Sequence, residues 1–378
     1  ELRFPAVTIC NKNTLKKSKI QGKDGQLWLD GQNFKLKKDW PKIHSQINAS
    51  FDIEKEVLAN GHRVTDVIKE MKFSADCLKF TNTTKSFFDL RLGLCHTINV
   101  KAKVRKLGEV FGLALLLDTE SHEYYGPHSW DGTGFKLMVH DPRIFPVMDL
   151  YGIDIPTGFI TNLRIRKKKK IHLAEPYPAR CGTKKLKSSN VYSETRCLME
   201  QYANEIETKC GCRLIGSPVI SNFNSADNAC PTNCTNVIYD VQSSSIVYPS
   251  KSALDEFTQN GTDLCTGKYD FENEFKFKSN NNESYLEWFR GRYARVTIFF
   301  ATTDVEIIQE MPAFDDLDLA GNVGGNMGLY LGCSILTLVE FVDLLVLVTF
   351  QWFKKKRHRV TKVSEVKRIE ASDKPETT

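Results

Sequence analysis

The sequence predicts an α+β fold, a large disulfide-rich extracellular domain followed by one transmembrane helix. Three features carry that reading: one long apolar run near the C-terminus closed by a basic cluster, cysteines crowded upstream of it, and a mixture of alternating and helical apolar patterns over the rest. The 378 residues are 41% hydrophobic and 26% charged, which excludes a disordered, collagen-like or wholly membrane-embedded chain. The net charge of +6 is concentrated at one end, since residues 354–378 hold nine Lys/Arg against four Asp/Glu. The remainder is balanced and implies no nucleic-acid partner.

Taken from the N-terminus, Glu1-Leu2-Arg3-Phe4-Pro5 holds no apolar run that could serve as a signal peptide. An ectodomain needs export, so the expectation is a fragment whose first membrane segment lies upstream. Lys23–Lys55 is polar and Lys-rich and reads as loop. Val64, Val67, Ile68 and Met71 follow the i, i+3, i+4, i+7 spacing of an amphipathic helix that ends before Cys77. Apolar or alternating runs at Phe111–Leu117, Phe135–Val139, Phe159–Ile165, Val237–Val241 and Val296–Phe300 read as strands. Ser193–Thr208 and Ser252–Phe257 read as helices, the second opened by a capping box of Ser252 and Asp255. Gly267–Ser284 reads as loop. Arg164, Arg166 and Lys167–Lys170 form a basic run that reads as a solvated strand end or hairpin, with a protease-processing site as the alternative.

Eleven cysteines are present, and Cys181, Cys197, Cys210, Cys212, Cys230 and Cys234 fall within 54 residues, a density typical of oxidised extracellular modules. Cys210-Gly-Cys212 followed by Cys230-Pro-Thr-Asn-Cys234 has the look of a zinc knuckle, but zinc thiolates belong mainly to reducing compartments, so disulfides are expected and no metal. Glycosylation sequons begin at Asn48, Asn82, Asn233, Asn260 and Asn282, all upstream of the apolar run. No nucleophile elbow, zinc-protease motif or phosphate loop is found, so neither an enzyme nor a cofactor is expected. His140, before Asp141-Pro142, reads as a strand-end turn residue.

The apolar run is Leu329–Phe353, 25 residues with only Glu340 and Asp343 charged, long enough at about 1.5 Å per residue to cross a hydrocarbon core of about 30 Å. Lys354, Lys355, Lys356, Arg357, His358 and Arg359 follow, which puts the tail on the cytoplasmic side and everything before the span outside. Gly321, Gly324, Gly325, Gly328 and Gly332 contain three Gly-x-x-x-Gly pairs that permit close helix approach. Each glycine costs a soluble helix about 1 kcal/mol, so five together need a reason. On a helix Cys333, Thr337 and Glu340 share a stripe with Asp343 beside it; carboxylates in a bilayer belong facing water or a partner, which makes an ion path the first reading and a glycine-dimerised anchor the second.

Gly324-Gly325-Asn326-Met327-Gly328-Leu329-Tyr330-Leu331-Gly332-Cys333-Ser334-Ile335-Leu336-Thr337, with Glu340 and Asp343, resembles the second transmembrane helix of degenerin/epithelial sodium channels, including their acid-sensing and peptide-gated branches. Phe4-Pro5-Ala6-Val7-Thr8-Ile9-Cys10-Asn11 is similar to the stretch after their first transmembrane helix, and Val139-His140 and Cys210-Gly-Cys212-Arg213 agree. The resemblance implies a trimeric, sodium-selective, amiloride-sensitive plasma-membrane channel with an ectodomain of palm, finger, thumb, knuckle and β-ball. Its partners would be sodium ions, two further identical or related subunits, membrane lipid and an extracellular ligand, a proton or a peptide. It also implies the selectivity element at Gly332, Cys333 and Ser334, the degenerin gate position at Gly321, amiloride contacts near Gly324 and Gly325, and Gly328, Glu340 and Asp343 along the pore. By the same resemblance Cys10–Cys95, Cys181–Cys234 and Cys197–Cys230 are disulfides, while Cys210 and Cys212 lack assigned partners, with Cys77 and Cys265 as candidates. The aromatic that couples thumb to membrane has its nearest counterpart in Tyr177, one position out of register. The expected division is 1–316 ectodomain, 317–353 pre-pore segment and transmembrane helix, and 354–378 cytoplasmic tail. Without the first transmembrane helix the chain as given should not conduct. The alternative of another class is a single-pass receptor or adhesion ectodomain on the same cysteine scaffold.

Overall fold

Strand β1 (Ala6–Asn11) is buried at every one of its six positions, the pattern of a strand covered on both faces rather than one. The computed structural model describes residues 2–32, 40–74, 76–89, 91–126, 132–177, 181–211, 230–260, 262–265, 267–269, 271, 275, 284–331 and 335–372. It divides the chain into two compact units, Glu1–Glu310 and Met311–Thr378.

In the first unit β1 is followed by helices α1 (Lys17–Ile20), α2 (Asp24–Gly31), α3 (Trp40–Gln46), α4 (Ile53–Asn60) and α5 (Val64–Val67), then β2 (Ile68–Phe73) and β3 (Asp76–Cys77). Next come α6 (Phe80–Thr83), β4 (Thr84–Asp89), β5 (Gly93–Asn99), β6 (Leu113–Asp118), β7 (Gly134–His140), α7 (Met148–Tyr151), β8 (Ile153–Pro156) and β9 (Phe159–Ile171). The unit closes with α8 (Glu194–Cys210), β10 (Thr235–Val247), α9 (Lys251–Asn260), β11 (Thr262–Leu264), β12 (Gly267–Tyr269), α10 (Tyr285–Arg292) and β13 (Tyr293–Gln309).

Two main sheets result, in the orders β4-β5-β1-β7-β8 and β10-β9-β13-β6-β2-β3. Every described pairing in them is antiparallel except β13 with β9, which is parallel. Val7, Ile9, Phe135 and Leu137 of the first sheet share one core with Leu115, Leu163, Val296 and Ile298 of the second. That face-to-face burial is the main drive for the unit's collapse.

Several elements differ from the sequence reading, each for a local reason. Val64–Met71 is one turn of helix followed by a strand. The ladder of β2 with β6 shifts register between Ile68 and Glu70, and that bulge turns Ile68 and Met71, three apart, onto the same buried side. A helical spacing is thereby imitated by an irregular strand. Lys23–Lys55 holds α2, α3 and the start of α4 instead of loop. Trp28 and Leu29 of α2 and Ile53 and Val57 of α4 pack with Leu15, Ile20 and Leu94, but two inward residues per helix make too thin a stripe to stand out among lysines. Asp52 caps α4 by accepting from the Glu54 and Lys55 N–H groups.

The strand expected from Phe111 begins at Leu113, because Glu109–Phe111 forms a 3-10 turn. Gly267–Tyr269, expected as loop, pairs with Thr262–Leu264. Helix α9 is opened by Ser250, whose Oγ accepts from the Ala253 N–H at 3.2 Å, so Ser252 is not its cap. The expected helix from Ser193 is α8, with Ser193 Oγ accepting from Arg196 N–H. The basic run lies in β9, flanked by β10 and β13, where Lys168 is neutralised by Asp240 at 3.4 Å and Glu306 at 3.3 Å.

Disulfides join Cys10–Cys95, Cys77–Cys265, Cys181–Cys234 and Cys197–Cys230. Cys10 and Cys95 face each other directly across β1 and β5. Cys77 and Cys265 therefore take each other and not Cys210 or Cys212. Cys210 is also disulfide-bonded, and with Cys230 and Cys234 engaged elsewhere the zinc-knuckle alternative is excluded. The second unit consists of α11 (Asp316–Leu331) and α12 (Ile335–Ser372).

Candidate pore segment and ectodomain exit

Strands β9 and β13 run in parallel and finish together, Ile171 opposite Gln309. The next residue, Glu310, fixes that end: its N–H donates to the Ile171 carbonyl at 3.0 Å, one carboxylate oxygen accepts from the Leu173 N–H at 2.9 Å, and the other lies 2.8 Å from His172 Nδ1. The Leu173 N–H and the His172 contact hold the Glu310 carboxyl below the usual carboxylate range. His172 in turn donates its N–H to the Cys234 carbonyl at 3.0 Å, and the Cys181 N–H reaches the Leu173 carbonyl at 3.3 Å. The Cys181–Cys234 bond is thus linked through His172 and Leu173 to Glu310, the last residue of the first unit. Tyr177 closes the turn beyond, its N–H on the Ala174 carbonyl.

Helix α11 starts at a reciprocal cap. Asp318 N–H donates to Asp315 Oδ1 at 2.7 Å and Asp315 N–H to Asp318 Oδ2 at 3.3 Å. Asp316 and Asp318 in the first turn suit the positive end of the helix dipole. Gly321, Gly324, Gly325 and Gly328 follow on this helix. A Cβ added at Gly321, Gly324 or Gly325 meets no atom within 4 Å among the described residues, so no close approach within this unit explains these glycines. Leu317, Val323, Leu329 and Tyr330 are more than half exposed, leaving an apolar surface without a cover from its own unit.

Gly332, Cys333 and Ser334, the expected selectivity element, lie outside the described residues. Helix α12 begins at Ile335, and its candidate membrane stretch is Leu336–Arg357, 22 residues with none buried. Within the described residues this stretch covers the C-terminal part of the expected Leu329–Phe353 span, while Leu329–Leu331 belong to α11. At about 1.5 Å per residue the stretch is about 33 Å long, matching a core of about 30 Å. Glu340 and Asp343 sit one turn apart in its first part, both exposed. At its far end Trp352 stacks edge-on with Phe353 at 5.2 Å and carries the Lys356 ammonium over its ring at 4.9 Å, an aromatic and basic boundary of the kind found at membrane interfaces.

The ectodomain holds two further polar features. A cavity of about 570 Å³ opens between β7, β10 and the start of α8, lined by Val139, Tyr151, Asn233, Val237, Lys170 and Glu194 among others. Near the base of α1, Glu120 lies 2.8 Å from both His62 Nδ1 and Lys16 Nζ. Burial alone would raise its carboxyl, but hydrogen bonds from His62 and Lys16 outweigh it and hold the group down at about 2. His140 ends β7 as expected for a strand-end residue, yet it is buried, with Nε2 2.8 Å from Thr8 Oγ1, and burial lowers its basicity. Among the described residues no group of three His, Cys, Asp or Glu side chains is placed to hold a metal ion.

Of the five sequons, Asn48 is exposed in the turn between α3 and α4, and Asn233 borders the cavity. Asn82 and Asn260 fall within α6 and α9, and Asn282 lies outside the described residues. The Cys77–Cys265 bond is one of the pairings the sequence reading leaves open, and the Glu310 anchor has no counterpart in it. The first has no local signal at a separation of 188 residues, and the second depends on two strands ending together.

Residues 1–344 match the family model described as amiloride-sensitive sodium channel. Acid-sensing ion channel 4-B of Danio rerio is 25% identical over 371 residues, covering 91% of this chain and 63% of that protein. Acid-sensing ion channel 1B of the same species is 24% identical over 400 residues, 95% of this chain and 67% of that protein. Acid-sensing ion channel 4 of Rattus norvegicus is 24% identical over 377 residues, 93% and 68% respectively. The chain spans about two thirds of the length of these curated relatives.

Proposed function

The chain belongs to the amiloride-sensitive sodium channel family, and from that premise we propose that it supplies the ectodomain and the second pore-forming helix of one subunit in a trimeric, sodium-selective, amiloride-sensitive cation channel. The channel sits in the plasma membrane with its ectodomain outside and basic tail in the cytoplasm, and an extracellular ligand, a proton or a peptide, opens it.

The observation that carries this reading is α12, a helix with a membrane-length apolar stretch, exposed throughout its described side chains in that stretch, that carries Glu340 and Asp343 within it. A carboxylate in hydrocarbon is tolerable when it faces water or a counter-charge, and three copies of the helix around an axis give it an aqueous face. A single-pass receptor anchor has no use for two such groups. The glycines of α11 fit the same arrangement, since bare backbone lets neighbouring helices approach closely. In this reading Gly332 and Ser334 line the selectivity element, where backbone carbonyls and a hydroxyl replace part of the water shell of a sodium ion. Gly321 is the gate position, and Cys333 borders the conduction path.

The test is sodium current from the complete subunit. A water-soluble thiol reagent applied to the open channel should reduce current, Cys333→Ala should abolish that block, and Ser334 substitutions should change sodium-over-potassium preference. If the thiol is inert and Ser334 and Glu340 can be replaced with unchanged selectivity and conductance, the helix is an anchor and the pore assignment falls.

A further inference from the structure

Strand β10 is the outer member of the six-stranded sheet. All 13 of its residues pair with β9 in unbroken register, from Thr235 opposite Ile171 to Val247 opposite Phe159. On its other side it makes no backbone hydrogen bond among the described residues. An edge of this length is a template for a further strand, and proteins ordinarily blunt such edges with proline, a bulge or a projecting charge. β10 has no proline and no register shift. Its one charged side chain, Asp240, is turned back onto Lys168 of β9 at 3.4 Å.

The first half of that edge lies in the cavity beside α8, where every residue from Asn236 to Val241 forms part of the wall. Successive residues of a strand point to opposite faces, so an uninterrupted run of lining residues means that the space wraps the edge itself, backbone included. On one face Tyr239 and Val241 turn toward the core that holds Val139. On the other, Ile238 shares its side of the sheet with Ile308 of β13, and both are open, 38% and 44% exposed. Charge does not select the occupant: Asp141 is engaged by Arg143 and Asp240 by Lys168, which leaves Lys170 and Glu194, one of each sign. A volume of about 570 Å³ is that of a site for a small ligand; it admits one extended chain and not a folded domain.

We propose that this edge is a binding site for an extended peptide of about six residues, uncharged and rich in β-branched side chains, which adds to the sheet as a strand beside β10. Its backbone N–H and C=O groups meet those of β10 that face away from β9, and its side chains alternate between the Tyr239 side and the Ile238–Ile308 side. Binding there is a property of the ectodomain and does not depend on conduction.

The probe is the capped peptide acetyl-Thr-Val-Thr-Ile-Thr-Val-amide, and the measurement is hydrogen–deuterium exchange of the complete subunit, resolved to single amides by mass spectrometry. Without peptide, the amides of 236–241 that face away from β9 should exchange fast, and saturating peptide should slow them about tenfold. The fully N-methylated peptide, which keeps the side chains and loses every donor, should leave them unchanged. Three results each overturn the proposal. Amides of 236–241 that are all slow before peptide is added mean that the edge is already covered in the assembled protein. Equal protection by the N-methylated peptide means that the groove takes side chains and not a strand. No change at 236–241 with the unmodified peptide means that the edge does not accept one.

Discussion

Replacing Asp118 by Asn removes the counter-charge from Arg292, the most enclosed cation among the described residues. Arg292 is 1% exposed and Asp118 0% exposed, and they meet in a two-pronged pair, Nε to Oδ1 at 2.7 Å and Nη2 to Oδ2 at 2.6 Å. Lys69 also reaches Asp118, at 3.3 Å, but with a side chain 16% exposed it has a route to water that Arg292 lacks. Stripping one partner from a buried pair strands the other and costs about 3–5 kcal/mol. At about 2.1 cal/mol/K per residue the entropy of unfolding a unit of this size is about 0.65 kcal/mol/K, so the expected fall in melting midpoint is about 5–8 °C. The assay is thermal loss of the monodisperse peak of the complete subunit in fluorescence-detected size exclusion. Asp118→Leu with Arg292→Met should recover much of the loss, because the stranded charge is removed with its partner. If Asp118→Asn melts with the unaltered protein, or if the double variant loses the sum of the two single changes, the pair is not what holds β6 to the start of β13.

Three further outcomes are expected. Acidification should destabilise the ectodomain in two stages of the same sign. His96 and His140 have lowered folded pKa values from burial, so stability present above the ordinary value of 6.5 is lost as the pH falls below it. Glu120, held at about 2 against an ordinary 4.5, adds on the order of 3 kcal/mol that is lost between those values. Glu120→Gln should flatten the lower stage of a melting-against-pH curve, and an unchanged curve refutes the assignment. Gly321→Val should raise resting sodium current at normal surface expression; since a Cβ there meets nothing within 4 Å among the described residues, unchanged leak removes the gate from this position. Cys265→Ser should cost about 2–5 kcal/mol through loss of the long-range Cys77 cross-link. The Cys77→Ser/Cys265→Ser double variant should melt like either single variant, and a further drop would show that the cysteines act separately.

What could be read from residue order follows from the range of the interactions involved. Helix α8 carries its start signal in Ser193 and its stop in Gly211, which adopts a left-handed φ of 64°, both local features. The central strands were legible because burial on two faces leaves an apolar run too short for a helix to hide in. Ile68–Phe73 misled because a bulge, set by the partner strand β6, shifts the period that sequence reasoning relies on. The finger-like helices around Trp28 and Ile53 are stabilised by meeting Leu15 and Leu94, and that meeting is tertiary. Toward the C-terminus, charge and glycine spacing drew attention to the segment that α11 and α12 occupy, because both signals are local.

Strand β13 is 17 residues long, about 56 Å at 3.3 Å per residue, and its support changes along its length. Arg295–Ile298 are hydrogen-bonded on both sides, to β6 and to β9; from Val305 to Gln309 the described pairing is with β9 alone, after a register shift between Phe300 and Val305. Mechanically this is a beam clamped in its upper half and propped along one edge below. Deflection concentrates where clamping ends, around residues 301–304, because bending there breaks the fewest ladder bonds. The lower end of the beam is tied at Glu310 to Ile171, His172 and Leu173, so a displacement admitted at 301–304 carries the end of β9 with it.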